Sequence, residues 1–207
     1  MQQGTQEWIE ARLGKITASR FSDCLANGRG GGVSKTLLTY LDDLVCEHLT
    51  RRPASTLKTF AMEWGQQYEP VARLEYERAS NREVRQVGFV QYGQKLVGCS
   101  PDGFVGDDGL IEIKCPLTPG PHLRVVEARQ IPDEHVAQVQ GNLWITSREW
   151  CDFVSYHEHF PEELQMVVVR VDRDEAFIRS MEERIMTAEA LLYQRLGQVL
   201  AIMNKGK

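Results

Sequence analysis

The chain has 207 residues and a net charge of −5, and its apolar, charged and aromatic fractions are those of an ordinary globular protein. No stretch approaches the roughly 20 apolar residues of a membrane span, and Met1-Gln2-Gln3-Gly4-Thr5 carries neither the basic nor the apolar region of a secretion signal, so a cytoplasmic location is expected. The acidic balance argues against a protein that coats nucleic acid through bulk positive charge, while leaving room for a local basic groove beside cation-holding carboxylates.

In chain order, a helix is expected from about Thr5 to Leu13, and a second from Thr17, read as its N-cap, to about Ala26. The glycine-rich segment Asn27-Gly28-Arg29-Gly30-Gly31-Gly32 reads as a short hinge. A third helix starts near Ser34, buries Leu37, Leu38, Leu41, Leu44 and Val45 at helical spacing, and ends before Pro53. A fourth covers roughly Leu57 to Ala79, with a kink expected at Pro70. The period then changes: Glu83–Tyr92, Lys95–Ser100 and Leu110–Cys115 read as strands separated by turns at Tyr92-Gly93 and Asp107-Asp108-Gly109. A helix from about Pro132 to Ile145, strands over Trp150–Tyr156 and Leu164–Val171, and a helix from about Asp174 to Met203 complete the chain. This order indicates one α/β domain, residues 1–207, with a mixed central sheet flanked by helices. The five cysteines are scattered with no CxxC pair, which argues against zinc or iron–sulfur ligation; they read as small buried hydrophobes in a reducing compartment.

One stretch carries chemistry: Ser100-Pro101-Asp102-Gly103, then Glu112-Ile113-Lys114. On a strand, Glu112 and Lys114 share one face while Ile113 points into the core. Asp102 closes the preceding strand, and a hairpin at Asp107-Asp108-Gly109 would bring it beside them. Two carboxylates and an amine on one spot suit a hard cation such as Mg²⁺ and an attacking water. The alternative is a solvated strand face that happens to read Glu-x-Lys.

Ser-Pro-Asp-Gly followed by Ile-Glu-Ile-Lys-Cys-Pro resembles the PD-(D/E)xK nuclease signature as it occurs in lambda-type phage recombination exonucleases (alkaline exonucleases). Further blocks follow in the same order: Trp8 with Arg12-Leu13-Gly14, Ile16-Thr17-Ala18-Ser19, Glu63-Trp64-Gly65-Gln66-Gln67-Tyr68-Glu69, and Ala137-Gln138-Val139-Gln140. The resemblance implies a restriction-endonuclease-like core. It implies that Asp102, Glu112 and the backbone carbonyl of Ile113 bind metal, that Lys114 acts on the nucleophilic water, and that Glu69 reaches the metal directly or through water. It also implies a 5′-phosphate pocket formed by Arg12, Ser19, Ser100 and Gln138. Arg12 offers a planar donor fork, and Ser19 falls in the first turn of the second expected helix, where free N–H groups favour an anion. Ser100 adjoins Asp102, and Gln138 shares a polar helix face with His135 and Asn142. Glu69 also reads as a surface glutamate, and Ser19 and Ser100 as a helix cap and a turn residue. One departure concerns His135, which stands where the lambda member has a tyrosine and is left outside the site. His157 and His159 read as a solvated loop.

The function implied is a Mg²⁺-dependent processive 5′→3′ exonuclease. It would degrade one strand of linear double-stranded DNA to mononucleotides, leaving 3′ single strands for annealing recombination. Two Mg²⁺ ions are expected, with Mn²⁺ a possible substitute. Family members form ring-shaped homotrimers and work with a phage single-strand annealing protein; a phage or prophage origin and the bacterial host cytoplasm follow. Arg51, Arg52 and Lys58 are candidates for lining the channel. The alternatives are a restriction- or repair-type endonuclease on the same fold, which would cut circular duplex, and a non-catalytic DNA-end-binding module.

Overall fold

Thr5 opens the first helix by accepting the Trp8 N–H at its hydroxyl, and α1 (Gln6–Arg12) follows. The computed structural model describes residues 1–55 and 59–205. Thr17 ends β1 (Ile16–Thr17) and stands at the N-cap of a 3₁₀ turn (Ala18–Arg20), without a side-chain cap bond; its N–H is donated to the Tyr40 hydroxyl, and α2 (Phe21–Leu25) follows the turn. Ser34 caps α3 (Lys35–Thr50), whose Leu37, Leu41, Leu44 and Val45 are buried; Leu38, expected beside them, is exposed. α4 (Phe60–Ser80) starts at a Thr59 cap and runs on through Pro70. The proline has no N–H, so the Gln66 carbonyl loses its helical donor. The expected start of this helix at Leu57 lies outside the described residues.

The segment expected as one strand over 83–92 is divided between two sheets. β2 (Val84–Arg85) pairs with β5 (Gly103–Val105), whereas β3 (Val90–Gln91) pairs with β4 (Val97–Cys99). β1 completes the smaller sheet, in the order β1-β4-β3, by lying parallel to β4. The larger sheet runs β2-β5-β6-β7-β8, with β6 (Gly109–Lys114), β7 (Trp150–Tyr156) and β8 (Met166–Asp172). It is mixed: β6 and β7 are parallel and the remaining pairs antiparallel. The parallel step is spanned by α5 (Pro119–Ala128) and α6 (Asp133–Thr146), the crossover such a connection requires. α7 (Glu175–Lys205) closes the order.

Alternation along β6 sorts its side chains onto two layers. Ile111 and Ile113 pack with Ala72 and Tyr76 of α4, whereas Leu110 packs with Val139 and Leu143 of α6. A third cluster joins α2, α3, α6 and α7 through Phe21, Leu41, Trp144 and Ile185. β6 is therefore held between α4 and α6, and both helices reach its C-terminal end. Among the described residues, no helix is long and apolar enough to cross a membrane. Cys24, Cys99 and Cys151 are buried as expected, but Cys46 is exposed and Cys115 half-buried, because their helix face and strand end look outward.

Candidate active site

The chain passes from the smaller sheet to the larger one at Ser100-Pro101-Asp102, between β4 and β5. Asp102 therefore precedes a strand rather than closing one. Its N–H still bonds the Ile111 carbonyl at 3.2 Å, but beyond that point the side chain takes over the pairing. Its Oδ2 accepts the Ile113 N–H at 2.6 Å. The turn that folds β5 onto β6 is Gly106–Asp108, with Gly106 at φ +59°, and Gly109 already lies in β6. A Cβ on Gly109 would sit 2.1 Å from the Trp150 ring of β7, so this position needs glycine for packing.

Glu112 and Lys114 share the α6 side of β6, as their spacing requires. Glu112 is buried, and both its oxygens are engaged. Oε1 accepts from Lys114 Nζ at 2.7 Å and from Gln138 Nε2 at 2.6 Å; Oε2 accepts from Asn142 Nδ2 at 2.9 Å. Lys114 also donates to Gln138 Oε1 at 3.2 Å. Glu69 comes from α4, half-buried, and is paired with Arg73 one turn on at 3.2 Å.

The three carboxylates feel one another. Burial, then the negative charges of Glu112 and Glu69, push the Asp102 carboxyl well above its ordinary range. Glu69 is raised as well, by burial first and by Glu112, with Arg73 working against the rise. Burial tends to lower the Lys114 amine, but Glu112 and Asp102 outweigh it and hold the ammonium form. The cluster has more negative charge than Lys114 and Arg73 compensate. Among the described residues, no three His, Cys, Asp or Glu side chains form a metal cage. A hard divalent cation does not need one: Mg²⁺ keeps much of its water and takes one or two carboxylates. Asp102, Glu112 and the Ile113 carbonyl fit that demand.

Two of the four expected phosphate ligands meet. The Ser100 hydroxyl oxygen accepts from Arg12 Nη1 at 3.1 Å and from Trp8 Nε1 at 3.0 Å, and the Arg12 guanidinium lies 4.3 Å from the Trp8 ring centroid. Burial pushes the Arg12 guanidinium down. Ser19 is exposed and bonded to Thr17 at 3.3 Å; it lies in the 3₁₀ turn Ala18–Arg20 that precedes α2, and its hydrogen bond is separate from the Arg12–Ser100 pair. Gln138 is engaged with Glu112 and Lys114 instead.

Sequence reasoning overlooked Trp8 as the second donor to Ser100, and Gln3, whose amide ties the N-terminal segment to the Val87 and Pro101 carbonyls at 3.0 and 2.8 Å. It named Asn142 only as a residue of the polar face. The i,i+4 spacing of Glu69 and Arg73 was the one available signal for that pair. A cleft of about 960 Å³, lined by Gln3, Trp8, Glu69, Arg73, Gln86 and Asp102, opens on one side of the cluster. A smaller pocket of about 300 Å³, lined by Lys114, Arg124, His135 and Phe153, lies on the other. The His135 imidazole there is pushed down to about 4 by burial and by Lys114.

His157 corrects the solvated-loop expectation. It is buried, with its ring 6.1 Å from Trp64 and 5.4 Å from Phe160, and its Nε2 has no hydrogen-bond partner among the described residues; of the two histidines only His159 is exposed. Arg51 and Arg52 are exposed after α3, and Lys58 lies outside the described residues.

Residues 7–149 match the family model described as the YqaJ-like viral recombinase domain. An alkaline exonuclease (LHK-Exo) from Laribacter hongkongensis is 34% identical, with 98% of this chain and 100% of that chain covered at a TM-score of 0.89. LHK-Exo in complex with dAMP is similar at the same identity and coverage, with a TM-score of 0.90. A phage-related exonuclease from Haemophilus somnus 129PT shares the fold at 14% identity and a TM-score of 0.73, over 89% of this chain and 96% of its own. No curated protein matches the chain.

Proposed function

The chain belongs to the YqaJ-like viral recombinase family, and from that premise we propose that it is a metal-dependent, processive 5′→3′ exonuclease on linear double-stranded DNA. That it is a deoxyribonuclease follows from the family and from its alkaline-exonuclease relative. One observation carries the finer reading. Ser100 and Asp102, two residues apart, tie the Arg12–Ser100 donor pair to the carboxylate cluster, so an anchored terminal phosphate lies next to the place of cleavage.

Asp102, Glu112 and the Ile113 carbonyl would hold two Mg²⁺ ions, or Mn²⁺ in their place, which would supply Lewis-acid stabilisation and a more acidic water. The chain's own groups do the rest. Lys114 has three N–H donors; two are committed to Glu112 and Gln138, and the third is left for a water or a phosphate oxygen. The Ser100 oxygen already accepts two bonds, so its own O–H is the donor free to meet a 5′-phosphate, beside the unused part of the Arg12 fork. Ser19 and Gln138 remain part of this proposed pocket, Gln138 turning from Glu112 to phosphate when DNA is present. Glu69 orients water at the outer edge of the cluster.

Release of mononucleotides would leave a 3′ single strand for a phage annealing protein in the bacterial cytoplasm. A homotrimeric ring with Arg51 and Arg52 toward the channel would reconcile an acidic subunit with processive tracking. The test is Lys114→Ala: cleavage should fall by at least about 10²–10³-fold while Mg²⁺-dependent DNA binding persists. Retained hydrolysis refutes the assignment.

A further inference from the structure

Asn142 is 1% exposed and sits on α6 one turn beyond Gln138. Its Nδ2 donates to Glu112 Oε2 at 2.9 Å, but its own Oδ1 is buried with no hydrogen-bond partner among the described residues. A buried amide with an orphan carbonyl weakens a fold, and an apolar side chain of the same shape would remove that orphan while leaving Glu112 Oε2 without its donor. The one thing a leucine there would not do is donate to Glu112.

That donation decides how Glu112 presents itself. Lys114 and Gln138 occupy both acceptor positions of Oε1. Among the described residues, Oε2 accepts from Asn142 alone, so one acceptor position remains on this buried carboxylate. We infer that Asn142 is a positioning residue that locks the Glu112 carboxylate so that the remaining Oε2 position is the one offered to the metal ion. The inference rests on the metal-dependent reading of the same site. Without the Asn142 bond, the carboxylate is free to turn about its last torsion, and the ligand oxygen is no longer specified.

The experiment is calorimetric titration of Mn²⁺ into the DNA-free wild type, Asn142→Leu and Asn142→Ala, with thermal midpoints of the metal-free proteins. Loss of a bond that orients a metal ligand weakens metal affinity about 10- to 100-fold. That loss is expected in both variants, with KM for DNA unchanged at saturating metal. Equal Mn²⁺ affinity in wild type and Asn142→Leu overturns the inference and leaves the metal-dependent reading standing. A lowered midpoint with unchanged affinity overturns it too, by assigning Asn142 to the fold. No Mn²⁺ binding by the wild type overturns the metal-dependent reading and the inference with it. If Asn142→Leu does not fold, the affinity of Asn142→Ala decides by the same comparison.

Discussion

Ser100 holds together two groups of residues that the sequence presents far apart. Arg12 and Trp8 come from the first helix, yet both donate to its hydroxyl oxygen, and Asp102 is only two residues away. Hydrogen bonds to charged groups contribute about 1.5–3 kcal/mol each, or about 10- to 100-fold in a rate or affinity ratio. Arg12→Ala should therefore lower the preference for 5′-phosphorylated over unphosphorylated ends by about 10- to 100-fold. Rates measured on the two kinds of end decide it; an undiminished preference in the variant removes Arg12 from the phosphate pocket. Glu112 and Lys114 were legible as a pair because they lie on one strand, where alternation fixes which side chains share a face. Asn142 and Trp8 were not, because their partners lie 30 and 92 residues away and no local pattern encodes such bonds.

At the scale of elements, α6 carries both Gln138 and Asn142, so its seat against α2 controls the cluster. Gly141 makes that seat possible: a Cβ there would lie 2.6 Å from two ring carbons of Phe21, a fully buried side chain. Alanine is the better helix former by about 1 kcal/mol, but overpacking a filled core costs about 1–3 kcal/mol. The clash wins at the upper end, since Phe21 has no solvent to turn into. Gly141→Ala should lower the thermal midpoint by a few degrees and reduce cleavage as α6 shifts; a variant with wild-type midpoint and rate contradicts this packing account.

The long periodic elements were legible from sequence: β7 occupies the expected residues 150–156, and α6 starts within one residue of its expected position. The misses have local causes. α5, for which no helix was expected, opens on Pro119-Gly120-Pro121, poor helix formers even though a proline is tolerated in a first helical turn. β5 has three residues, too few for a period to show. The expected strand over 83–92 breaks around Gly88, where a Cβ would lie 2.5 Å from the Met1 carbonyl, a long-range approach.

At the scale of the molecule, the mixed sheet presents the C-terminal end of β6 between α4 and α6, with an open cleft on one side and a small pocket behind Lys114. An acidic chain with this arrangement suits a nuclease that engages the end of a strand more than one that grips duplex along its length. The most direct test is digestion of linear duplex labelled separately at its 5′ and 3′ ends, with and without a 5′-phosphate, beside covalently closed circular DNA, in Mg²⁺. The account predicts early release of the 5′ label as a mononucleotide from phosphorylated ends, a persistent 3′ label, and an intact circle. Early loss of the 3′ label, or cutting of the closed circle, would contradict it.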